Sequence, residues 1–137
     1  MLKIKQLLQI KKFRLMSNTL KIFQVDAFTS ERFEGNPAGV VILDQDWPKA
    51  KVLIKIAREI NLSETAFIKP IATNSYQIRF FTPTCEVPLC GHASLSAAHI
   101  IFNELAINLD SIELKTTISS LFVTQIKPSP CHIKYPF

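Results

Sequence analysis

The chain has 137 residues, 47% of them hydrophobic and 20% charged. That is enough for one domain with its own core and outside the range of disordered chains. No window approaches the run of about 18 consecutive apolar residues that a spanning helix needs, so no membrane partner is expected. The formal net charge of +5 sits at one end. Lys3, Lys5, Lys11, Lys12 and Arg14 all precede the first acidic residue, Asp26, and beyond them eleven basic residues meet eleven acidic ones. A phosphate-binding surface needs basic residues clustered on the folded part, so no nucleic-acid partner is expected either.

Residues 1–16 interleave those charges with Leu2, Ile4, Leu7, Leu8, Ile10, Phe13 and Leu15. This is a basic amphipathic segment or a targeting peptide. The simpler alternative is an unstructured extension upstream of a start at Met16. Residues 17–137 then form a single domain. Lys21–Phe28 is β-rich and reads as a strand, followed by a polar loop through Gly35-Asn-Pro-Ala-Gly39 and a short strand at Val40–Leu43. An outer amphipathic helix is expected over about 48–60, with Asp46 as N-cap and Pro48 in its first turn. Val52, Leu53, Ile56, Ala57 and Ile60 share one face, and Asn61 ends the helix.

Thr65–Lys69 and Ser75–Thr82 read as strands joined by a turn over Pro70–Asn74. The next helix, about 93–105, is of another kind. Leu95, Ala97, Ala98, Ile100, Ile101, Phe102 and Leu105 surround it, and a helix apolar on all sides is buried on all sides. Ser111–Thr116, Leu121–Lys127 and His132–Tyr135 supply further strands. The economical solution is an α+β domain: a barrel-like antiparallel sheet wrapped round a central helix, whose small residues Ala93, Ser94, Ser96, Ala97 and Ala98 admit the strands closely.

Chemistry concentrates at the start of that central helix, in Cys90-Gly91-His92-Ala93. First-turn amides and the helix dipole hold an anion there. Gly91 permits close approach, and a thiol beside a helix N-terminus is expected to ionise more easily and to act as a base. Blander alternatives stand beside each reading. His92 is a helix-terminal polar group, Cys90 a small buried hydrophobe, and Glu64, in Asn61-Leu-Ser-Glu-Thr-Ala-Phe67, a loop polar at a strand start. Glu86 balances a charge or faces water. A metal set of Cys85, Cys90 and His92 with Cys131 or His132 can be written, but its spacing matches no common zinc pattern. No metal or other cofactor is therefore expected. Three cysteines without a secretory signal point to a reducing compartment, the cytoplasm.

Four motifs stand in order: Phe23-Gln-Val-Asp-Ala-Phe28, Phe33-Glu-Gly-Asn-Pro-Ala-Gly-Val40, Asn61–Phe67 and Arg79-Phe-Phe-Thr-Pro-Thr-Cys-Glu-Val-Pro-Leu-Cys-Gly-His-Ala93. In order and spacing they resemble the PhzF family of phenazine-biosynthesis-like isomerases and epimerases, over roughly residues 20 to 137. The resemblance implies a diaminopimelate-epimerase-like domain and a cofactor-independent isomerase or epimerase. Such an enzyme moves a proton on a small carboxylate-bearing substrate. It gives Glu64 the role of acid/base and places Gly91, His92 and Ala93 where substrate binds. Asn36 and Pro37 border the cleft, and Cys90 stands where related epimerases carry a catalytic thiol. Family members have two such domains with the site between them. The expectation is therefore an N-terminal half lacking its second domain, active with a complementary C-terminal half or as a homodimer. The alternative is a non-catalytic binding or dimerisation module.

Overall fold

The computed structural model describes residues 11–15, 18–29, 34–125 and 131–134, with side chains over 20–29 and 34–125. Among the described residues, nine strands form one sheet: β1 (Lys11–Leu15), β2 (Asn18–Ala27), β3 (Asn36–Ile42), β4 (Glu64–Ala72), β5 (Ser75–Phe81), β6 (Glu86–Val87), β7 (Ser111–Lys115), β8 (Ser120–Gln125) and β9 (Cys131–Lys134). The order across the sheet is β1-β2-β3-β4-β5-β7-β8-β9, with the two-residue β6 paired to β5. Helix α1 (Ala50–Ile60) connects β3 to β4, and α2 (Gly91–Ile100) connects β6 to β7 and continues as a π-helical turn over Ile101–Leu105.

Helix α2 packs on β2, β3 and β4 and also on β9, at the far end of the strand order. Only a sheet curled around the helix achieves both, so the expected wrapped architecture is present. Ala93–Ala98 and Ile100 are all buried, as the all-round apolar pattern requires. Two buried serines in this run are satisfied locally. Ser94 Oγ donates to the Cys90 carbonyl at 2.7 Å and Ser96 Oγ to the His92 carbonyl at 2.8 Å, each one turn back along the helix.

The β period sorts the other side chains between two cores. Phe23, Val25, Val40, Ala66, Ile68, Ile78 and Phe80 face α2. Their neighbours Ile22, Val41, Phe67 and Phe81 face the other way, onto Leu53, Ile56 and Ala57 of α1. Strands β2 to β5 are therefore covered on both sides.

Several expectations need correction. The sheet is mixed rather than antiparallel: β3 pairs with β4, and β5 with β7, in parallel. Parallel neighbours need a long crossover, which α1 and the β6–α2 segment provide. Helix α1 begins at Ala50, with Lys49 as an N-cap that makes no side-chain bond. Asp46 instead pairs with Lys69 at 2.8 Å. Asn61 ends α1 as expected, in the left-handed conformation at φ 56°. Residues Lys11–Leu15, read as extension, form β1 against β2 in the register Phe13↔Leu20. The sequence Lys12-Phe-Arg-Leu15 alternates with period two, a strand signal that the helical reading of the segment obscures. Residues 1–10 and the tail beyond Lys134 lie outside the described residues.

The motif at the end of β2 stores strain. Phe28 has φ 63°, a conformation costing an L-residue about 1–2 kcal/mol, and it is exposed. Gly35, facing the same turn, has φ +90°, and a Cβ there would stand 2.4 Å from the Ala27 carbonyl. Phe28→Gly is expected to raise unfolding stability by about 1 kcal/mol, once the entropy cost of glycine is subtracted. Urea midpoints measure it. An unchanged or lower midpoint would show that the Phe28 ring contributes more packing than the backbone loses.

Candidate active site

Two parallel strands and a helix start converge on one point. Ala38 of β3 stands opposite Glu64, the first residue of β4, so Asn36 and Pro37 run past the place where β4 begins. Gly39, one register position on, lies against Thr65, whose Oγ1 would be 2.9 Å from a Cβ at that glycine. The missing side chain lets β3 and β4 close beside Glu64.

Glu64 and the helix start meet directly. Glu64 Oε2 lies 3.2 Å from His92 Nε2, and the two side chains keep 24% and 10% of their exposure. On the other side of the same ring, Cys90 Sγ lies 3.2 Å from His92 Nδ1. Imidazole thus stands between carboxylate and thiol. With Nδ1 accepting from the thiol, the ring proton sits on Nε2 and faces Glu64. The Glu64–His92 contact is short but lacks hydrogen-bond alignment, and both atoms are buried without a hydrogen-bond partner. Buried polar atoms are rarely left so.

Helix α2 has Cys90 as N-cap, in extended conformation and without a side-chain capping bond. The thiol does not ionise more easily, contrary to expectation. Burial pushes it above its ordinary value, helped by the Glu64 charge, while the amides of Ala93 and His92 pull only partly the other way. Desolvation of the half-buried thiol outweighs the helix terminus. The unfolded chain therefore ionises first, and stability falls as pH climbs through the unfolded thiol's value. In one chain treated with iodoacetamide at rising pH, Cys90 is expected to lag behind the exposed Cys85. Peptide mass spectrometry reads both, and Cys90 reacting first at neutral pH would mean that the helix amides prevail.

Of the sequence candidates, Glu64, Cys90 and His92 come together in space, Gly91 and Ala93 belong to the same helical turn, and Asn36 and Pro37 immediately precede Ala38, the β3 residue opposite Glu64. The metal set written from spacing does not assemble among the described residues. Cys85 is exposed, with its sulfur 3.4 Å from Thr82 Oγ1, and the side chains of Cys131 and His132 lie outside the described residues. Glu86 makes a two-pronged bond to Arg79 at 2.8 Å on each arm, which lowers the carboxyl's pKa. It belongs to the surface of β5 and β6, not to the site. One residue passed over is Asp26, buried on β2 opposite Pro37. An acidic residue inside the β-rich run Phe23–Phe28 is a signal that was available for it.

Among the described residues no helix is long and apolar enough to cross a membrane. The phenazine biosynthesis-like protein family model matches residues 25–133. A human phenazine biosynthesis-like domain-containing protein is 43% identical over 107 residues, spanning 73% of this chain and 36% of its own length. An uncharacterized isomerase of Pseudomonas aeruginosa is 52% identical over 83 residues, 61% of this chain and 31% of that one. The crystal structure of a PhzF-family phenazine biosynthesis protein from Enterococcus faecalis superposes with TM-score 0.73 at 40% identity, covering 77% of this chain and 40% of the other. The chain thus spans well under half the length of these relatives. With the family model matched over most of its length, the chain belongs to the phenazine biosynthesis-like PhzC-PhzF family.

Proposed function

We propose that Glu64, His92 and the first turn of α2 form one wall of a cofactor-independent proton-transfer site for a small carboxylate-bearing substrate. The observation that carries the proposal is the buried, unsatisfied pair Glu64 Oε2 and His92 Nε2, 3.2 Å apart at the start of the central helix. The substrate carboxylate docks on the amides of Gly91, His92 and Ala93, where the helix dipole favours negative charge. Glu64 removes a proton from carbon next to a conjugated system and returns it at another position. The Nε2–H of His92 is placed to hold an oxygen on which negative charge develops. Cys90, protonated because of its burial, serves as a proton donor rather than a base. Asn36 and Pro37 border the substrate.

The opposite wall comes from the rest of the relatives' length or from a second copy of this chain. Without it, water reaches the reacting carbon and oriented transfer loses most of its advantage. The test is hydrogen exchange in deuterated water, followed by mass spectrometry on hydroxyanthranilate-like and amino-acid substrates. It is run on the chain alone and with the complementary half of a relative. Wash-in of deuterium above the protein-free rate supports the proposal, and no wash-in under either condition overturns it.

A second reading, a non-catalytic dimerisation module in the cytoplasm, draws on Ile107, Ile118 and Phe122, exposed at 65%, 64% and 51%. Sedimentation equilibrium separates the two: a concentration-independent monomer removes the dimerisation reading.

A further inference from the structure

The geometry points to Glu64, Cys90 and His92 as a binding site for a zinc-like divalent ion that blocks the site rather than serving it. The consequence for activity rests on the proton-transfer reading above, whereas the binding does not.

The three side chains offer one carboxylate oxygen, one thiol sulfur and one imidazole nitrogen, with all ligand atoms within 4.8 Å of one another. This mixture suits a borderline-soft ion such as Zn²⁺ and is poorly matched to Mg²⁺ or Ca²⁺, which take oxygen. Zinc at about 2.0 Å from nitrogen and oxygen places those two ligands about 3.3 Å apart. The observed separation of Glu64 Oε2 from His92 Nε2 is 3.2 Å. That contact is short enough for a shared ion and too poorly aligned for a hydrogen bond, and both atoms are buried without one. An ion between them satisfies both.

The sulfur now rests at 3.2 Å from the other ring nitrogen, Nδ1. To reach an ion on the Nε2 side of the ring it must leave Nδ1 by turning about the Cα–Cβ bond of Cys90, ending at a zinc–sulfur distance near 2.3 Å. On binding, the thiol proton is released to solvent and the ring proton moves to Nδ1, which the sulfur has vacated, so that carboxylate and thiolate together balance the double charge. The fourth ligand position is left to water or to the substrate carboxylate, as in open zinc sites. Glu64 starts a strand and Cys90 and His92 start a helix, so all three are held by regular elements. The only other described thiol, Cys85, is exposed and apart. With zinc bound, the Glu64 oxygen that moves the proton is occupied, and exchange stops.

The experiment uses the untagged chain with Cys85→Ser and Cys131→Ser, leaving Cys90 as its one thiol, titrated with Co²⁺ and then Zn²⁺. One Co²⁺ per chain is expected, with a thiolate-to-cobalt charge-transfer band in the near ultraviolet. One equivalent of Zn²⁺ removes the band and excess Mg²⁺ does not. Adding Cys90→Ser abolishes the band, and His92→Gln or Glu64→Gln weakens binding at least tenfold, with circular dichroism confirming the fold. Binding without the band, or binding that these substitutions leave unchanged, overturns the inference. Deuterium wash-in without metal is measured separately. Exchange that proceeds in a chain that binds no zinc sinks the metal site alone. Zinc binding to a chain with no exchange under any condition sinks the proton-transfer reading alone.

Discussion

Glu64→Gln is expected to lower deuterium wash-in at the substrate by about 10²–10⁴-fold, the usual contribution of a positioned general acid/base. The substitution keeps the shape of the side chain and its place at the start of β4, but an amide cannot take up the substrate proton. Substrate affinity should change far less, because the amides proposed to dock the carboxylate belong to α2. Glu64→Asp retracts the carboxylate by one methylene and is expected to recover part of the rate. His92→Asn should act differently: it removes the 3.2 Å contact with Glu64 and the ring proposed to face the substrate, so KM and kcat should both suffer. Wild-type wash-in no faster than that of Glu64→Gln would mean that the carboxylate does not move the proton in this chain.

Phe67→Ala is expected to destabilise the fold by about 3–5 kcal/mol, the range for deleting a fully buried aromatic ring. Phe67 has no exposed surface and meets the equally buried Phe81 edge-to-face, with ring centres 5.5 Å apart. Both rings fill the layer between the sheet and α1. The cavity cannot collapse easily, because Leu53, Ile56 and Ala57 are held by a helix tethered at both ends to adjacent strands. Urea unfolding monitored by circular dichroism gives the loss. A double-mutant cycle with Phe81→Ala should show a coupling of about 0.5–1.5 kcal/mol from the ring pair. Since this layer lies on the face of the sheet away from α2, wash-in per folded molecule should be unchanged. A loss below about 1 kcal/mol would show that α1 closes over the gap.

The central helix is legible in the sequence because burial on all sides leaves no polar face: from Ala93 to Ala98 every residue is small, apolar or a serine that bonds its own backbone. Glu64 and His92, singled out by separate motifs, do meet in space. Less legible is anything settled by partners distant in the chain. Nothing local in Asn36–Ile42 or Glu64–Ala72 states that these strands run parallel; that depends on α1 crossing between them. Asp46 is a good helix cap by type, yet Lys69, 23 residues on, draws it into an ion pair. The thiol of Cys90 was expected to follow the helix terminus, but solvent exclusion by its neighbours outweighs that local effect. Local propensity reads an element well and reads its surroundings poorly.

The parallel pairing of β3 with β4 has a consequence for biogenesis. Glu64 and His92 are 28 positions apart in the sequence, and neither is delivered by a local hairpin to the other. The carboxylate takes its position only after the crossover through α1 has set β4 beside β3, and the imidazole only after α2 has entered the curl of the sheet. A nascent or partly unfolded chain therefore carries the residues without the constellation. The proposed proton-transfer site is thus assembled only when folding is complete.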